Sequence, residues 1–436
     1  MKIEDVPARV HFVGAGGIGM SGLAEYLLRT GRCVSGSDRT ANDRTQALCI
    51  QGAKIYIGHD ALNVGQAELV VRTSAVPTDN AEVAEAVKRG IPVILREELL
   101  GVIFNSFDTR IAVCGAHGKT TVTAMIHELL TYCNVDHAAF IGGVYRGENM
   151  YFGRNVAVAE ACEYNRSFLN LSPTLTVCTN VEYDHPDCYA NERDVLRAFS
   201  EFFCRTSNFG AVILPKKLAA LLSGQKSVFY DEEIPCVIRS ADGKTALDLN
   251  IDGARKRLEL SVLGRHNAVN ALIALTVGKQ LGLNINRCVE ALSAFKGVDR
   301  RWTEREGSCR IVCDYAHHPT EIACAVETAK SVCKGKVLCV FQPHTYTRTQ
   351  AFFDEFVSCF ARADLVAYLP IYSAREAPVE GVTSQALAKR AVSTGIDACY
   401  SENFEQARRW ILSNAKKDDL VLVLGAGDVA NLADML

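Results

Sequence analysis

The sequence predicts an α/β protein of three domains, at residues 1–105, 106–296 and 297–436. Three times, an apolar strand leads into a glycine-bearing or polar turn and then into a helical pattern; these units begin at Val10, Arg110 and Arg310. Strands that alternate with helices form parallel sheets with helices packed on their faces. A chain of 436 residues is also too long for one typical core, which favours several domains.

Charge and composition argue against several classes of protein. The net charge of -3 and a pI near 6.4 argue against a nucleic-acid partner, because neutralising many phosphates needs a basic excess. The first residues are polar, and no apolar run reaches the length of about 18 residues that spans a bilayer. The seventeen cysteines are scattered singly, which favours neither a disulfide framework nor a zinc site. We therefore expect a cytoplasmic protein whose cysteines are buried small hydrophobic residues.

The first turn, residues 14–19, has the pattern Gly-x-Gly-x-x-Gly between a strand and a helix. Its backbone N–H groups and the helix N-terminus suit a diphosphate. Asp38, at the end of the next apparent strand, suits a hydrogen bond from a ribose or base. By itself this pattern is compatible with a Rossmann-like domain that binds NAD, and hence with an oxidoreductase. It is equally compatible with tight turns that serve only packing.

The second turn, residues 115–121, reads GAHGKTT and directly follows a strand. Phosphate oxygens need convergent N–H donors, a cation and a hydroxyl for magnesium, and here Lys119 and Thr120 at the start of a helix complete that set. The segment departs from the strict GxxxxGK[ST] pattern because Val113 replaces its first glycine. The turn in this context predicts an ATP site in a P-loop ATPase-like central domain.

Polar side chains follow several of the predicted strands. Glu160 ends one apolar strand, and Asn180 ends another, with His185 shortly after it. Because the carboxyl ends of parallel strands face the ligand crevice, we expect these groups near the phosphates, where they would hold magnesium. Four further polar loops lie beside a predicted strand or helix terminus, at residues 264–267, 296–301, 314–321 and 341–348.

With these segments in order, the chain resembles the Mur ligase family over essentially its whole length. The most specific segments are GAHGKTT, TNVEYDH, GRHNAVNA, GVDRRW, DYAHHPTE and FQPHTYTRT. The resemblance implies an N-terminal Rossmann-like domain that binds a UDP-sugar. It also implies a central P-loop ATPase-like domain that binds ATP and a C-terminal Rossmann-like domain that binds an amino acid. It therefore argues against NAD.

The resemblance implies amide-bond formation in two steps. ATP phosphorylates the carboxylate of UDP-N-acetylmuramate, and the amine of L-alanine then displaces phosphate from the acyl phosphate. This reaction serves peptidoglycan synthesis, and with it cell-wall biogenesis, cell shape and cell division. ATP and Mg²⁺ are the expected cofactors, and a monomer or homodimer is the expected assembly. Two alternatives remain: a murein-peptide ligase that joins a recovered tripeptide to the same nucleotide sugar, and a relative that binds UDP-sugar and ATP without turnover.

The resemblance also implies roles for individual residues. The UDP-sugar site is expected to comprise Gly14, Ala15, Gly16, Gly17, Ile18, Gly19, Met20, Ser21, Asp38, Thr73 and Ser74. The ATP site is expected to comprise Gly115, Ala116, His117, Gly118, Lys119, Thr120, Thr121, Asn180, His266, Asn267, Arg301 and Asp314. The expected metal ligands are Thr120, Glu160 and His185. The amino-acid site is expected to comprise His318, Tyr346 and Arg348. The expected catalytic residues are Lys119, His185, His318 and Arg348.

The chain departs from the family pattern at one metal-binding segment. Many relatives that add alanine read EADESD, whereas this chain reads EACEYN from Glu160 onward. Either Glu160 or Glu163 is then the metal ligand, and Glu160 is preferred because it ends the strand. Several relatives also carry a carbamylated lysine downstream. No lysine lies between Glu182 and Arg205, so this modification is not predicted.

Overall fold

The computed structural model describes residues 1–241, 244–251, 253–305, 307 and 309–436. These residues form two compact units. Unit 1 comprises Met1–Val181, Leu196–Glu233 and Ile273–Cys288, and unit 2 comprises Glu182–Val195, Ile234–Leu272 and Val289–Leu436. Among the helices that the structure describes, none is long and apolar enough to cross a membrane. The boundaries of the three predicted domains remain a prediction.

Unit 1 contains two mainly parallel sheets. Their strands are β1 Arg9–Val13, β2 Cys33–Asp38, β3 Lys54–Ile57, β4 Leu69–Arg72, β5 Val93–Leu95, β6 Thr109–Cys114, β7 His137–Tyr145, β8 Glu148–Tyr151, β9 Val156–Glu160, β10 Leu175–Cys178, β11 Ala211–Leu214 and β12 Ser227–Phe229. The first sheet is parallel throughout, in the order β3-β2-β1-β4-β5. The second has the order β12-β11-β10-β6-β9-β7-β8, in which β8 pairs antiparallel with β7.

Helices connect the strands of unit 1, as a parallel sheet requires. They are α1 Ile18–Arg29, α2 Asp43–Ile50, α3 Ala81–Lys88, α4 Arg96–Phe104, α5 Lys119–Tyr132, α6 Glu192–Phe203 and α7 Tyr230–Glu233, and the first four residues of α6 are assigned to unit 2. Short 3-10 helices cover Ile3–Asp5, Ala61–Val64, Tyr164–Asn170 and Lys216–Leu221. Helix α5 is buried from Thr120 to Leu130, because its small and apolar side chains pack on several sides.

Unit 2 contains one antiparallel and one mainly parallel sheet. The antiparallel sheet consists of β13 Cys236–Ala241, β14 Lys244–Ile251 and β15 Ala254–Leu260. The strands of the second sheet are β16 Thr303–Arg305, β17 Arg310–Asp314, β18 Val337–Phe341, β19 Leu365–Tyr368, β20 Ala398–Tyr400 and β21 Leu420–Leu424. Their order is β16-β17-β21-β18-β19-β20, with only β16 antiparallel among the described pairs. Every residue of β21 is buried, as expected for a central strand covered on both faces.

The remaining helices belong to unit 2, except that α8 ends and α9 begins with residues assigned to unit 1. They are α8 Arg265–Gln280, α9 Ile285–Ala294, α10 Pro319–Val332, α11 Tyr346–Ala351, α12 Glu355–Ser358, α13 Ser384–Ser393 and α14 Phe404–Asn414, with a 3-10 helix at Val429–Met435. Two apolar clusters, on opposite faces of the second sheet, form the core of unit 2: alternate residues of β21, Leu422 and Val423, belong to different clusters.

The α/β prediction and its three strand–turn–helix units are confirmed: β1 leads into α1, β6 into α5 and β17 into α10. Helix α10 begins at Pro319, because proline suits the first helical position and His318 caps the helix. Strand β10 ends at Cys178 rather than at the expected Asn180, and the two residues that follow bond to the second turn instead.

The antiparallel sheet β13–β15 was not predicted. Its sequence alternates polar and apolar residues and contains two Asp-Gly pairs, at residues 242–243 and 252–253, which are typical of hairpin turns. Residues 242, 243 and 252 lie outside the described residues. The prediction of buried cysteines is wrong for Cys33, Cys49 and Cys204, which are exposed.

Gly36 in β2 allows the first turn to pack closely on the sheet. A Cβ at this position would lie 2.8 Å from the carbonyl oxygen of Phe12 and 2.9 Å from the Cβ of Ala15. Both neighbours are buried, and neither is the mobile end of a long side chain. The absence of a side chain at Gly36 therefore sets the spacing between β1, β2 and the turn.

We expect Gly36→Ala to lower the free energy of unfolding by about 1–3 kcal/mol, because an added methyl group forces buried backbone apart. Urea unfolding followed by circular dichroism measures this change. Cys33→Ala, at an exposed position of the same strand, is the matched control and should change stability little. A Gly36→Ala protein as stable as the control would contradict the close approach of the two strands.

Candidate functional site

The second turn joins β6 to α5 in the middle of the larger sheet of unit 1. Strand β6 lies between β9 and β10, so the ends of both neighbours flank the turn. Gly115 and Gly118 have φ of +134° and +83°, which glycine adopts at low cost. A Cβ on Gly115 would lie only 2.0 Å from Oγ1 of Thr179. The turn is therefore built around two glycines that no other residue replaces without strain.

Asn180 and Thr179 hold the backbone of this turn from the end of β10. The Asn180 side chain accepts from the N–H of His117 at 3.0 Å and donates to the carbonyl of the same residue at 3.0 Å. The Thr179 hydroxyl donates to that carbonyl at 2.6 Å. Asn180 thus lies at the turn, as predicted, and in this structure it fixes the turn through both polar atoms of its side chain.

Lys119, the first residue of α5, folds back over the turn. Its ammonium donates to both carboxylate oxygens of Glu163, at 3.0 and 2.9 Å, to the carbonyl of Ala116 at 3.1 Å and to the carbonyl of Gly115. Burial by itself lowers the pKa of Lys119, but the adjacent Glu163 more than offsets this effect and the pKa is raised. The side chain therefore carries a positive charge at the mouth of the turn.

Glu160 occupies a different position from Glu163. It ends β9, next to β6, and its Oε2 accepts from the Thr120 hydroxyl at 3.2 Å. Its other oxygen accepts from the N–H of Gly142 at 2.5 Å, where a Cβ on Gly142 would not fit. A carboxylate beside a hydroxyl at the start of a phosphate-binding helix is an oxygen donor set that suits Mg²⁺. This geometry favours Glu160 over Glu163 as the metal ligand.

The first turn is held by residues at the end of β2. The carbonyl of Ser37 accepts from the N–H groups of Gly14 and Ala15, both at 2.9 Å. The Asp38 carboxylate accepts from the N–H of Gly16 at 2.8 Å. Asp38 therefore lies at the turn and binds its backbone, and a contact with the uridine part of a ligand stays a prediction.

The other residues predicted for the UDP-sugar site surround the same turn. Thr73 lies beside Gly14, since a Cβ on that glycine would be 3.3 Å from the threonine methyl group, and Ser74 next to it is exposed. Ile18 and Gly19 open α1, where N–H groups have no acceptor within the helix and suit an anion. Met20 and Ser21 are buried in the first turn of α1.

A cleft in unit 1 connects the first turn with Glu160. Its walls include Ile18 and Gly19 at the start of α1, Gly142 of β7, and Glu160 at the end of β9. Arg96, the first residue of α4, also lines it and lies beside Gly19: a Cβ on that glycine would be 3.1 Å from Nη1 of the arginine. The cleft therefore joins a helix start that suits an anion to the candidate metal ligand.

Arg96 was not predicted. It directly follows the parallel strand β5, in the segment REELL. A basic residue at the carboxyl end of a parallel strand is the same kind of signal that identified Glu160, and it would have identified Arg96 as well.

In unit 2, Arg348 lies in a cluster of charged and imidazole side chains. Its Nε donates to Oδ1 of Asp184 at 2.9 Å, and its Nη atoms lie 3.3 Å from Nδ1 of His344 and 3.5 Å from Nδ1 of His185. Burial by itself raises the pKa of Asp184, but Arg348 outweighs it and holds the pKa well below its usual range. The guanidinium and the carboxylate therefore form a buried ion pair.

Two neutral imidazoles complete this cluster. Burial, reinforced by the charge of Arg348, lowers the pKa of His344 to about 4. Burial is also the main cause that lowers the pKa of His317 to about 3. Neither histidine nor Asp184 was predicted as a site residue, although all three lie in polar segments singled out from the sequence. His344 lies four residues before Arg348, whereas Asp184 and His317 are distant from it in the chain, so only the fold shows that these groups meet.

The predicted residues His318 and Tyr346 start two helices of unit 2. Nδ1 of His318 accepts from the N–H of Thr320 at 3.3 Å, and its ring packs edge-on against Phe352. Tyr346 is half-buried at the first position of α11. Their contacts with an amino acid, like the contact of Arg348 with its carboxylate, stay predictions.

Arg301 and Asp314 lie together in unit 2. The Asp314 carboxylate accepts from the N–H groups of Trp302 and Ala316, both at 2.8 Å, and so fixes the backbone next to Arg301. Burial raises the pKa of Asp314. The Arg301 guanidinium lies over the ring of Tyr315, 4.8 Å from its centre. The predicted contacts of both residues with ATP stay predictions.

His266 and Asn267 begin α8, also in unit 2. His266 is exposed, whereas Asn267 is buried and its amide donates to the carbonyl of Leu263 at 2.7 Å. Gly264, with φ of +95°, forms the turn before them. Asn267 therefore stabilises the helix start, and adenine contacts from either residue stay a prediction.

Three family descriptions match the chain in succession. Residues 9–108 match the catalytic domain of the Mur ligase family, residues 113–278 match the Mur ligase middle domain, and residues 300–427 match the glutamate ligase domain of Mur ligases. Together they cover most of the chain, in the order that the resemblance predicted.

Similar proteins extend over nearly the full length. The chain is 35% identical to the UDP-N-acetylmuramate–L-alanine ligase of Agathobacter rectalis, over 99% of this chain and 98% of that protein. It is 40% identical to the enzyme of that name from Acidobacterium capsulatum, over 98% and 96% of the two chains.

Solved structures show the same similarity in three dimensions. The UDP-N-acetylmuramate–alanine ligase of Thermotoga maritima superimposes with a TM-score of 0.81 at 27% identity, over 98% of this chain and 97% of that one. A murein peptide ligase from Psychrobacter arcticus shares the fold, with a TM-score of 0.73 at 21% identity over 99% and 98% of the chains.

We expect Asn180→Ala to weaken ATP binding at least about tenfold, because two hydrogen bonds of about 1 kcal/mol each no longer fix the second turn. Isothermal titration with a non-hydrolysable ATP analogue measures this loss. Asn105→Ala is a matched control, since Asn105 also bridges two backbone groups, the carbonyl of Asn170 and the N–H of Ser172, away from the turn. Equal ATP affinity in the two variants would contradict the role of Asn180.

Proposed function

Because the chain belongs to the Mur ligase family, with its three-domain α/β architecture, we propose that it joins L-alanine to the carboxylate of UDP-N-acetylmuramate at the expense of ATP. The observation that carries this proposal is the cleft of unit 1. The first turn and Glu160 line that one cleft, so a nucleotide sugar anchored at the first turn extends toward the second turn, where ATP is expected.

In the first step, a carboxylate oxygen of the muramate attacks the γ-phosphorus of ATP. The bond between that phosphorus and the β,γ-bridging oxygen breaks, and an acyl phosphate and ADP form. Lys119 is the cation of the second turn, and it holds the γ-phosphoryl oxygens and neutralises the charge that develops on them. Its present partners, Glu163 and the carbonyls of the turn, keep the ammonium at the mouth of the turn before the nucleotide arrives.

The residues at the second turn fit a magnesium ion. Thr120 and Glu160 offer a hydroxyl and a carboxylate in contact with each other, the oxygen donors that Mg²⁺ prefers. His185 is proposed as a further ligand on the family resemblance alone. Bound magnesium would withdraw charge from the phosphoryl oxygens. The chain itself orients Glu160 through the N–H of Gly142, which fixes the carboxylate before any ion binds.

In the second step, the amine of L-alanine attacks the carbonyl carbon of the acyl phosphate. The amide forms as the carbon–oxygen bond to phosphate breaks, and the proton lost by the amine passes to the released phosphate or to water. Arg348 is proposed to bind the alanine carboxylate through its Nη edge, which faces His344 and His185, while the Asp184 ion pair holds the guanidinium in place. His318 and Tyr346 are proposed to line the same pocket.

A place in peptidoglycan precursor synthesis follows from this reaction, together with a cytoplasmic location, where UDP-activated sugars and ATP are made. The enzyme is proposed to act as a monomer or homodimer. Neither a nucleic-acid partner nor membrane insertion is proposed for it.

We expect the purified protein to release phosphate from ATP when UDP-N-acetylmuramate and L-alanine are both present. The preference for the acceptor is measured by phosphate release with a panel of amino acids and with the tripeptide L-alanyl-γ-D-glutamyl-diaminopimelate. Lys119→Ala is the negative control, and it should abolish release while leaving UDP-sugar binding largely unchanged. Greater stimulation by the tripeptide would instead identify a murein-peptide ligase, and no stimulation by any acceptor would indicate a non-catalytic relative.

We expect the two isosteric variants Glu160→Gln and Glu163→Gln to differ in their need for magnesium. Loss of a metal ligand should raise the half-saturating Mg²⁺ concentration of Glu160→Gln by about tenfold or more. Glu163→Gln removes only the partner of Lys119, so its half-saturating Mg²⁺ concentration should stay near that of the unmodified enzyme. Steady-state rates over a magnesium series measure this difference, and the reverse pattern would assign the metal to Glu163.

A further inference from the structure

Glu82, on α3 of unit 1, is a carboxylate without solvent exposure. Its Oε2 accepts from the Ser37 hydroxyl at 2.5 Å and lies 3.3 Å from Nε2 of His11. Its Oε1 accepts from the Asn63 amide at 2.7 Å and from the N–H of Asp60 at 3.3 Å. Donors from β1, β2 and the segment after β3 therefore converge on one side chain.

Stability alone does not explain a buried carboxylate at this position. Burial by itself raises the pKa of Glu82, but hydrogen bonds from His11, Ser37 and Asn63 lower it to about 2, so the group is anionic at neutral pH. A buried charged group with its partners is often no more stabilising than apolar residues of the same size. An apolar cluster that includes Val83, the next residue of α3, already packs this helix on the sheet. The polar network therefore points to a role in fixing one geometry.

Ser37 connects this network to the first turn. Its hydroxyl binds Glu82, while its carbonyl accepts from the N–H groups of Gly14 and Ala15. The next residue, Asp38, accepts from the N–H of Gly16. Ser37 and Asp38 thus accept from three successive N–H groups of the turn. Glu82 in turn accepts from the Ser37 hydroxyl and so fixes the Ser37 side chain.

The same contacts decide which donors of the turn face a ligand. The N–H groups of residues 14–16 donate to β2 and do not face a ligand. The N–H groups of Ile18 and Gly19 lie at the start of α1, beside the cleft, where they can donate to a ligand. An anion binds such donors most tightly when they are already ordered, because binding then costs little conformational entropy.

We propose that Glu82 is a positioning residue for the nucleotide sugar, acting through Ser37 on the first turn. This inference rests on the proposed function, because it takes the diphosphate of UDP as the ligand of that turn. Glu82 itself touches no substrate. Loss of Glu82 lets the end of β2 and the turn move. Binding of the diphosphate must then order them, and this loss of conformational entropy lowers the affinity.

The test compares Glu82→Gln and Ser37→Ala by isothermal titration with uridine 5′-diphosphate and with a non-hydrolysable ATP analogue. Glu82→Gln places an amide N–H₂ group, itself a donor, among the donors that Glu82 binds. We expect the affinity for UDP to fall by about tenfold or more. Ser37→Ala removes the hydrogen bond from the Ser37 hydroxyl to Glu82 and should weaken UDP binding by about three- to tenfold. In turnover, the KM for the nucleotide sugar should rise by the same factor, with kcat and the affinity for the ATP analogue nearly unchanged.

Val83→Ala is the matched control, because it removes buried apolar volume from the same helix without touching the network. It should lower the unfolding temperature and leave UDP affinity near that of the unmodified protein. Unchanged UDP affinity in Ser37→Ala and Glu82→Gln, or an equal loss in Val83→Ala, would overturn the inference. If Glu82→Gln does not fold, Ser37→Ala carries the test.

UDP binding separates this inference from the proposed function. A protein that binds UDP but forms no amide refutes the proposed function, and the variants still test the role of Glu82. A protein that forms the amide while both variants bind UDP normally refutes only the role of Glu82. Absence of UDP binding in the unmodified protein would refute the role of Glu82, whereas amide formation alone decides the proposed function.

Discussion

The two glycine turns of unit 1 present backbone N–H groups that are proposed to bind phosphate, and the protein itself keeps these turns ordered. Buried polar groups without partners cost free energy, so some of these donors need acceptors from the protein itself. Both turns meet this need in the same way. The end of a neighbouring parallel strand supplies acceptors, through Ser37 and Asp38 at the first turn and through Asn180 at the second. The geometry of both candidate anion sites depends on these strand ends.

Sheet order explains why this arrangement is available. In each sheet the strand before the turn is internal: β1 lies between β2 and β4, and β6 lies between β9 and β10. An internal parallel strand has a neighbour on each side, and the carboxyl ends of all three meet at one edge. One neighbour then fixes the turn, and the other brings a different group beside it. At the second turn that group is Glu160 on β9, in contact with Thr120.

Charged groups in both units are paired before any substrate binds. Lys119 is held by Glu163, and Arg348 by Asp184, and in each pair the two charges are largely buried. Breaking a buried pair is costly, so each cation stays in place and stays ionised. The two pairs differ in one respect. Glu163 binds the terminal ammonium that a phosphate would take over, whereas Asp184 binds the Nε of Arg348 and leaves the Nη edge toward the imidazoles.

The sequence by itself determined the α/β class, the strand–turn–helix units at both glycine turns, and the position of Glu160 at a strand end, because these follow from local periodicity and turn chemistry. The tertiary structure alone decided which distant groups meet. Glu160 and Glu163 are three residues apart in sequence, yet one reaches Thr120 and the other Lys119, because β9 pairs with β6 and the chain then leaves the sheet. Asp184 and Arg348 are 164 residues apart, and Glu82 and Ser37 are 45 apart. Such contacts depend on strand order and helix packing, which no local pattern encodes.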